Sequence, residues 1–377
     1  MIFIEACNEE RNQDTLPLLT LCKQLAKPAR VAFLHAIDRP PLHKLLDLFV
    51  FLTSDVSRPV LVKELYVELH LTAVQPDERD TSESLRIWDM LIVVIRSLRC
   101  LDTLHITIEK SWMDELPSLS ALVEHFGVLG QLKDLRLQEG RRGRAGPDLR
   151  DVLEMLGRNR IKLEVLSVWA DAVSPFSAAA GPNVEWALSN LKELGIDIPT
   201  SPRDLRTYLK APVLCELAIC MGAQSMASDD LVKLLREVGP QLEDLDLERE
   251  REQVAFDGVL AEVASSMTSL RGLCLSCCKT FESVSRIGPT LEKLELRRPT
   301  EGEVCGLPGL IAMRWPKFRS LYLTRPTFDL NERPSLRSLL LVQSPRPHSG
   351  RMLTLAQEAC KLRNATVYVD EEPVSTA

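Results

Sequence analysis

A six-residue frame, Leu-x-x-Leu-x-Leu, recurs along the chain of 377 residues, and clean copies begin at Leu132, Leu242 and Leu291. A weaker copy begins at Leu362. It lies 300 residues and 11 steps after the first copy, which begins at Val62, so the mean period is about 27 residues. We call the first residue of each frame its opener. The other openers are Val62, Leu101, Leu163, Leu191, Leu214, Leu270, Phe318 and Leu336.

A period of this length is typical of leucine-rich repeats. Apolar residues at helical spacing precede the openers, as Leu231 and Leu235 precede Leu242, and a turn signal such as Gly239-Pro240 separates helix from strand. One repeat cannot bury its own apolar side, so neighbouring repeats must stack. The sequence therefore predicts an α/β leucine-rich-repeat solenoid, a horseshoe with a parallel concave β-sheet.

The first forty residues do not share this period. Asp14 can cap one helix, and Pro28 can open a second helix that reaches Ile37. A third amphipathic helix, from Leu42 to Leu52, can cover the open end of the repeat array. We expect a helical segment at residues 1–38, a capping helix and linker at 39–60, the solenoid at 61–370 and a disordered tail at 371–377.

Composition restricts the function. A net charge of −7 argues against general affinity for nucleic acids, because neutralising phosphates needs a basic face. The ten cysteines are irregularly spaced, and no signal peptide is visible at the start, so we expect a reducing, intracellular environment, either cytoplasmic or nuclear. Charged residues interrupt the longest apolar segments, which predicts no association with membranes.

The frame also predicts a binding face. Alternate strand residues point to opposite sides, so frame positions three, five and seven face the concave surface. Carboxylates gather there on neighbouring strands, which favours a protein target with a basic segment; the alternative is that they form an ordinary solvated face. Aromatic residues on either side of them are candidate anchors. The predicted binding residues are Trp169, Glu193, Asp197, Glu216, Asp244, Asp246, Glu248 and Tyr322.

Motifs that would indicate chemistry are incomplete. The loop at residues 140–146 is rich in glycine and arginine but lacks the spacing of a phosphate-binding loop. Cys274, Cys277 and Cys278 have no second cysteine or histidine pair to complete a zinc site. The six histidines are scattered. We therefore expect no catalytic residues, no cofactor and no metal, and a binding protein rather than an enzyme.

The segment Asp14-Thr-Leu-Pro-Leu-Leu-Thr-Leu-Cys-Lys23, followed by Pro28-Ala-Arg30 and Phe33-Leu34, resembles the second half of an F-box in fungal F-box and leucine-rich-repeat proteins. The resemblance covers residues 2–38. It departs from the family in two ways, because the Leu-Pro-rich first helix and the tryptophan after the Cys-Lys pair are missing.

The resemblance implies a role as the substrate-recognition subunit of a cullin-type ubiquitin ligase. The target would then bind the concave face, and the F-box-like segment would bind the ligase adaptor. The alternative is a stand-alone interaction scaffold that binds no adaptor. The adaptor-binding residues implied by the resemblance are Leu18, Leu21, Leu25 and Val31.

Overall fold

The computed structural model of the chain describes residues 35–38, 45–55, 57–69, 81–108, 120–139, 149–170, 182–198, 211–221, 228–249, 256–276, 284–297, 307, 311, 314–324, 356–357, 360–361, 366–369 and 372–374. The chain forms two compact units. Unit 1 comprises residues 1–197 and 210–213, and unit 2 comprises residues 198–209 and 214–377.

Unit 1 alternates helices with parallel strands. Its described strands are β1 (Ala36–Asp38), β2 (Glu64–Leu69), β3 (Thr103–Ile108), β4 (Asp134–Glu139), β5 (Val165–Ala170) and β6 (Glu193–Ile198), and they pair in chain order. Its described helices are α1 (Leu45–Thr53), α2 (Arg58–Leu61), α3 (Thr81–Ser97), α4 (Ser120–Val123), α5 (Leu149–Arg158) and α6 (Pro182–Leu188), with a 3₁₀ helix at Glu124–Val128.

Unit 2 repeats the arrangement. Its described strands are β7 (Glu216–Met221), β8 (Asp244–Arg249), β9 (Gly272–Ser276), β10 (Lys293–Arg297), β11 (Ser320–Thr324), β12 (Thr366–Val369) and β13 (Glu372–Val374). Strands β7 to β12 pair in parallel in chain order, and β13 runs antiparallel to β12. Its described helices are α7 (Ser228–Val238) and α8 (Asp257–Val263), with 3₁₀ helices at Gly239–Gln241 and Ala264–Ser266.

The frame places the strands correctly. Each strand from β2 to β11 begins two residues after its opener, as β8 does after Leu242. The strand that follows Leu362 begins four residues later, at Thr366. Leu336 lies outside the described residues. The α/β class and the parallel strand pairing are therefore confirmed within each unit.

Burial follows the predicted faces. The strand β3 alternates between half-buried and buried side chains along its length, as expected when only one face of a sheet packs on a core. The openers in the described repeats are buried as well. The inward-facing residues that the frame predicts to be buried are all buried, namely Leu135, Leu137, Leu166, Val168, Leu245, Leu247, Leu294 and Leu296.

The helices contribute the other side of each core. In α3, Trp88, Leu91 and Ile95 are 3%, 1% and 0% exposed, so one stripe of the helix faces the strands. In α7, the residues predicted from helical spacing are also buried, namely Leu231, Leu234, Leu235 and Val238. Each repeat therefore buries a helical stripe and alternate strand residues together.

A ladder of backbone hydrogen bonds joins neighbouring repeats. The carbonyl oxygen of Asp102, the residue after the opener Leu101, accepts hydrogen bonds from the amides of Lys133 and Asp134 at 2.7 and 3.0 Å. The carbonyl of Glu243 accepts from Arg271 and Gly272 in the same way. The same pair of bonds is formed by the carbonyls of Lys63, Lys133, Glu164, Cys215, Arg271 and Glu292.

Both ends of the chain differ from expectation. Ile37, predicted to lie in a helix, belongs to β1 and pairs with Leu65 of β2. Parallel pairing with a neighbouring strand outweighs the local helical spacing there. At the other end, residues 371–377 were expected to be disordered, but Glu372–Val374 pairs with β12. Leu18, Leu21, Leu25, Val31 and the loop at 140–146 lie outside the described residues.

In the part of the chain that the structure describes, no helix has the length and apolar character needed to cross a bilayer.

Candidate functional site

We call the side of each sheet that carries frame positions three, five and seven its outward face. On this face the strand registers align side chains into rows that cross the strands. One row in unit 2 contains Asp246, Cys274, Glu295 and Tyr322. Every side chain in a row projects from a hydrogen-bonded strand, so the spacing of polar groups is set by the sheet.

Arg297 is the centre of the outward face in unit 2. Its Nη2 lies 2.8 Å from Oδ2 of Asp246, its Nη1 lies 2.7 Å from Oε2 of Glu248, and its Nε lies 3.1 Å from Oε1 of Glu295. The Arg297 and Asp246 side chains are 28% and 30% exposed, so water screens this pair only in part. We call these four residues the Arg297 cluster.

Small residues between the charged strands make the cluster possible. Arg297 on β10 reaches Asp246 and Glu248 on β8 across the intervening strand β9, which carries Gly272, Cys274 and Ser276 on its outward face. A Cβ atom at Gly272 would collide with the carboxylate of Asp244. The absence of large side chains on β9 therefore leaves room for charged groups from β8 and β10.

The Arg297 cluster contains more negative than positive groups. Burial opposes the charge of Arg297, but the neighbouring carboxylates, led by Asp246, outweigh it and raise the pKa of Arg297 above its usual value. Burial also raises the pKa of Asp246, although Arg297 opposes that change. Burial and Asp246 raise the pKa of the Cys274 thiol, so Cys274 stays protonated near neutral pH. One guanidinium thus forms ion pairs with three carboxylates.

Tyr322 also has a cationic neighbour. Nζ of Lys293 lies 4.7 Å from the centre of the Tyr322 ring and 3.7 Å from Oε2 of Glu295. The Tyr322 side chain is half-buried. The predicted anchor is therefore present on the outward face, with a lysine over one side of its ring.

The structure revises the reason for expecting a cationic partner in unit 2. Carboxylates gathered on one face repel one another, and a cationic partner would relieve that repulsion. Arg297 already pairs with Asp246 and Glu248, so part of that repulsion is relieved within the chain. Glu216 on β7 and Asp244 on β8 have exposed side chains.

Unit 1 carries a second polar cluster that the sequence analysis missed. Oδ1 of Asp134 lies 3.2 Å from Nε2 of His105 and 3.2 Å from Nε of Arg136. Nη2 of Arg136 lies 3.5 Å from Oε1 of Glu193. The Tyr66 ring meets the His105 ring edge-on, with centroids 4.6 Å apart. The frame predicts all five of these positions to face outward, which is the signal that could have identified the group.

The carboxylate of Asp134 organises this group. Burial disfavours its ionised form, but the adjacent His105 ring and a hydrogen bond from Nε of Arg136 outweigh burial and lower the pKa of Asp134. Burial and the neighbouring Glu64 raise the pKa of Tyr66 to about 12, so its hydroxyl remains protonated and donates to Glu64 at 3.2 Å. Glu193, predicted as a partner-binding residue, thus has an ion pair with Arg136.

Trp169 lies across the adjacent strand. A Cβ atom at Gly195 would lie 2.8 Å from Cζ2 of Trp169 and 2.7 Å from Oγ of Ser167. The indole therefore occupies space that only glycine leaves open, and it is half-buried. Asp197 is part of β6, but its side chain is outside the described residues. Trp169 is thus a ring held against the sheet rather than a freely projecting side chain.

Among the described residues, no three or more histidine, cysteine or acidic side chains are grouped closely enough to hold a metal ion. In the described part of the chain, Cys100, Cys215, Cys220, Cys274 and Cys360 form no disulfide bond. The frame places Cys274 on the outward face, and its side chain is half-buried there. Cys277 and Cys278 lie outside the described residues.

No protein-family model matches the chain. No curated protein matches it either. Among solved structures, the chain is similar to a leucine-rich-repeat protein of Leptospira interrogans, with a TM-score of 0.33 and 14% identity over 72% of this chain and 75% of that one. A similarity this distant does not assign the chain to a family.

Proposed function

We propose that the chain is a protein-interaction module that binds a partner protein on the outward faces of its sheets. The observation that supports this is the combination of a half-buried ion cluster and an aromatic ring on the outward face of each unit. Strands fixed on both sides by hydrogen bonds hold these groups in place, which favours recognition of a defined surface. Binding, rather than catalysis, fits a repeated scaffold of this kind.

The partner segment would be basic. On the outward face of unit 2, Glu216, Asp244, Asp246, Glu248 and Glu295 exceed the two cations Lys293 and Arg297, so the face keeps an excess of negative charge. Exposed ion pairs contribute only about 0.2–1 kcal/mol each. The affinity would therefore come chiefly from burying an aromatic anchor, Trp169 in unit 1 or Tyr322 in unit 2, and the charges would speed association.

A display library of random peptides, selected on the intact chain, tests this proposal. We expect selected peptides to be enriched in arginine and lysine and to lose binding to a Trp169→Ala or Tyr322→Ala variant. Peptides that bind the intact chain and both variants equally, or that show no enrichment in cations, would contradict it.

The binding kinetics of a selected peptide separate charge from anchoring. The double variant Glu216→Gln, Asp244→Asn leaves the Arg297 cluster intact and should slow association about fivefold at low salt. Trp169→Ala should speed dissociation of a unit 1 binder about 30-fold, as for a hot-spot residue. The matched control, Asp229→Asn with Glu237→Gln on α7, removes the same charge from exposed helix positions and should change neither rate. An association rate that changes neither with salt nor in the Glu216→Gln, Asp244→Asn variant would exclude electrostatic steering.

We propose, as a narrower role, that this interaction module serves a cullin-type ubiquitin ligase. The support is the F-box-like pattern from Asp14 to Leu34 in the sequence. Removing residues 1–34, which spares β1, should abolish capture by the F-box adaptor, whereas the Glu216→Gln, Asp244→Asn variant should retain it. If the intact chain does not capture the purified adaptor, the stand-alone scaffold is the better description.

A further inference from the structure

We infer that the residue after each opener forms, within each unit, a ladder of alternating charge that specifies which repeats lie side by side. This inference does not depend on the proposed function. We call these residues the edge ladder, because they lie where each strand begins. In unit 1 the edge ladder is Lys63, Asp102, Lys133, Glu164 and Lys192, and in unit 2 it is Glu243, Arg271, Glu292 and Arg319.

The backbone hydrogen bonds described above bring these residues into one row. Each carbonyl in the ladder accepts from the amide of the next ladder residue, as the Glu164 carbonyl accepts from the amide of Lys192 at 2.8 Å. Neighbouring ladder residues are therefore one strand spacing apart, roughly 4.8 Å. At this distance the charge of each ladder residue interacts directly with the charge of the ladder residue in the next repeat.

Ion pairs join three of the neighbouring pairs in the edge ladder, whereas Nζ of Lys63 donates a hydrogen bond to the carbonyl oxygen of Cys100 at 3.1 Å. Nζ of Lys192 lies 2.7 Å from Oε2 of Glu164 in unit 1. In unit 2, Nη1 of Arg271 lies 3.6 Å from Oε2 of Glu243, and Nε of Arg319 lies 3.3 Å from Oε2 of Glu292. The pKa of Glu164 is lowered by Lys192, through a hydrogen bond and through charge, and Lys133 on the other side lowers it further.

The alternation of charge does not continue beyond the two ends of each ladder. The Lys63 amide bonds to the carbonyl of His35, and the first repeat of unit 2 has the neutral Cys215 at the ladder position. In the sequence the next opener, Leu336, is followed by Arg337, so the sign does not change after Arg319. Four consecutive changes of sign in unit 1 and three in unit 2 are confined to repeats that pack within the same unit.

This pattern discriminates between correct and shifted stacking. Apolar cores of similar repeats are nearly interchangeable, so the core alone opposes a skipped repeat only weakly. In the edge ladder, a shift by one repeat would place like charges next to each other. Like charges at neighbouring positions destabilise and opposite charges stabilise, so the ladder acts against slipped stacking and against exchange of repeats between copies.

Hydrogen exchange at the ladder amides, measured at low salt in the full chain, tests the inference. Glu164→Lys places three lysines in succession and should speed exchange of the amides of residues 192 and 193 about two- to fivefold. Glu185→Lys on α6 makes the same charge change at an exposed helix position and is the matched control. A complete inversion should restore slow exchange: Lys63→Glu, Asp102→Lys, Lys133→Glu, Glu164→Lys and Lys192→Glu.

The outcomes are distinct. If alternation is what matters, the inverted variant resembles the unaltered chain, and the effect of Glu164→Lys shrinks at about 1 M salt, where charges are screened within about 3 Å. If the amides of residues 192 and 193 exchange no faster in Glu164→Lys than in Glu185→Lys, the charges of the edge ladder do not stabilise the stacking of the repeats. If the inverted variant exchanges as fast as Glu164→Lys, individual residues matter instead of the alternation, and the inference fails.

Discussion

Replacing Arg297 with methionine is expected to destabilise unit 2 by about 2 kcal/mol at pH 7. The substitution keeps an apolar stem of similar length but leaves Asp246, Glu248 and Glu295 without their shared cation. Breaking a fully buried ion pair costs about 3–5 kcal/mol. The cost here is smaller because Arg297 and Asp246 are 28% and 30% exposed. Native-state hydrogen exchange of β8 and β10 measures it.

The loss should shrink as the pH falls. Burial already raises the pKa of Asp246, and removing Arg297 takes away a group that lowers it. A carboxyl whose pKa is raised in the folded state destabilises the protein above that pKa. Below the pKa of the unfolded chain it is protonated in both states, so it no longer contributes. The difference between Arg297→Met and the unaltered chain should therefore be largest at neutral pH and decrease towards about pH 4.

A matched control comes from an exposed pair in unit 2. Nη2 of Arg236 lies 3.0 Å from Oε2 of Glu262, and these side chains are 55% and 57% exposed. Arg236→Met should therefore cost less than about 1 kcal/mol. If Arg297→Met costs no more than Arg236→Met, or if its cost grows towards acid pH, the Arg297 cluster does not have the electrostatic role described above.

Replacing Leu247 with alanine is expected to destabilise unit 2 by about 3 kcal/mol. Leu247 is on the inward side of β8 and is fully buried, so the substitution removes apolar contacts and leaves a cavity. The adjacent residue, Glu248, points outward, and Glu248→Ala should cost about 1 kcal/mol or less. Urea unfolding of the two variants compares the faces directly. An equal cost for both would mean that the inward and outward assignment of β8 is wrong.

Much of the fold follows from local periodicity. The frame positions of Leu245 and Leu247 place them on one side of a strand, because successive side chains in a strand alternate in direction. The same rule places Asp246 and Trp169 on the other side. Inward leucines are buried in both units. Most outward side chains remain partly accessible, whereas Ser167 and Ser276 are buried on that face. The predicted strands and faces were therefore available without any knowledge of long-range contacts.

The side chains proposed to bind a partner were only partly predictable. Their positions on the outward face followed from the frame, but their partners did not. Arg297 reaches Asp246 because the intervening strand carries small residues at matching register, and that register relates positions 51 residues apart. Similarly, the orientation of Trp169 depends on the missing side chain of Gly195 on the next strand. Neither relation is visible in the spacing of one repeat.

The sequence by itself determined the repeat, the strand positions and the side of the sheet on which each side chain lies, because these depend on a period of two within a strand and about 27 between repeats. Only the tertiary structure decided that Ile37 extends the sheet as β1, that Glu372–Val374 pairs with β12, and which charges are paired. These outcomes depend on contacts with neighbouring strands, whose pairing and side-chain size outweigh local preference.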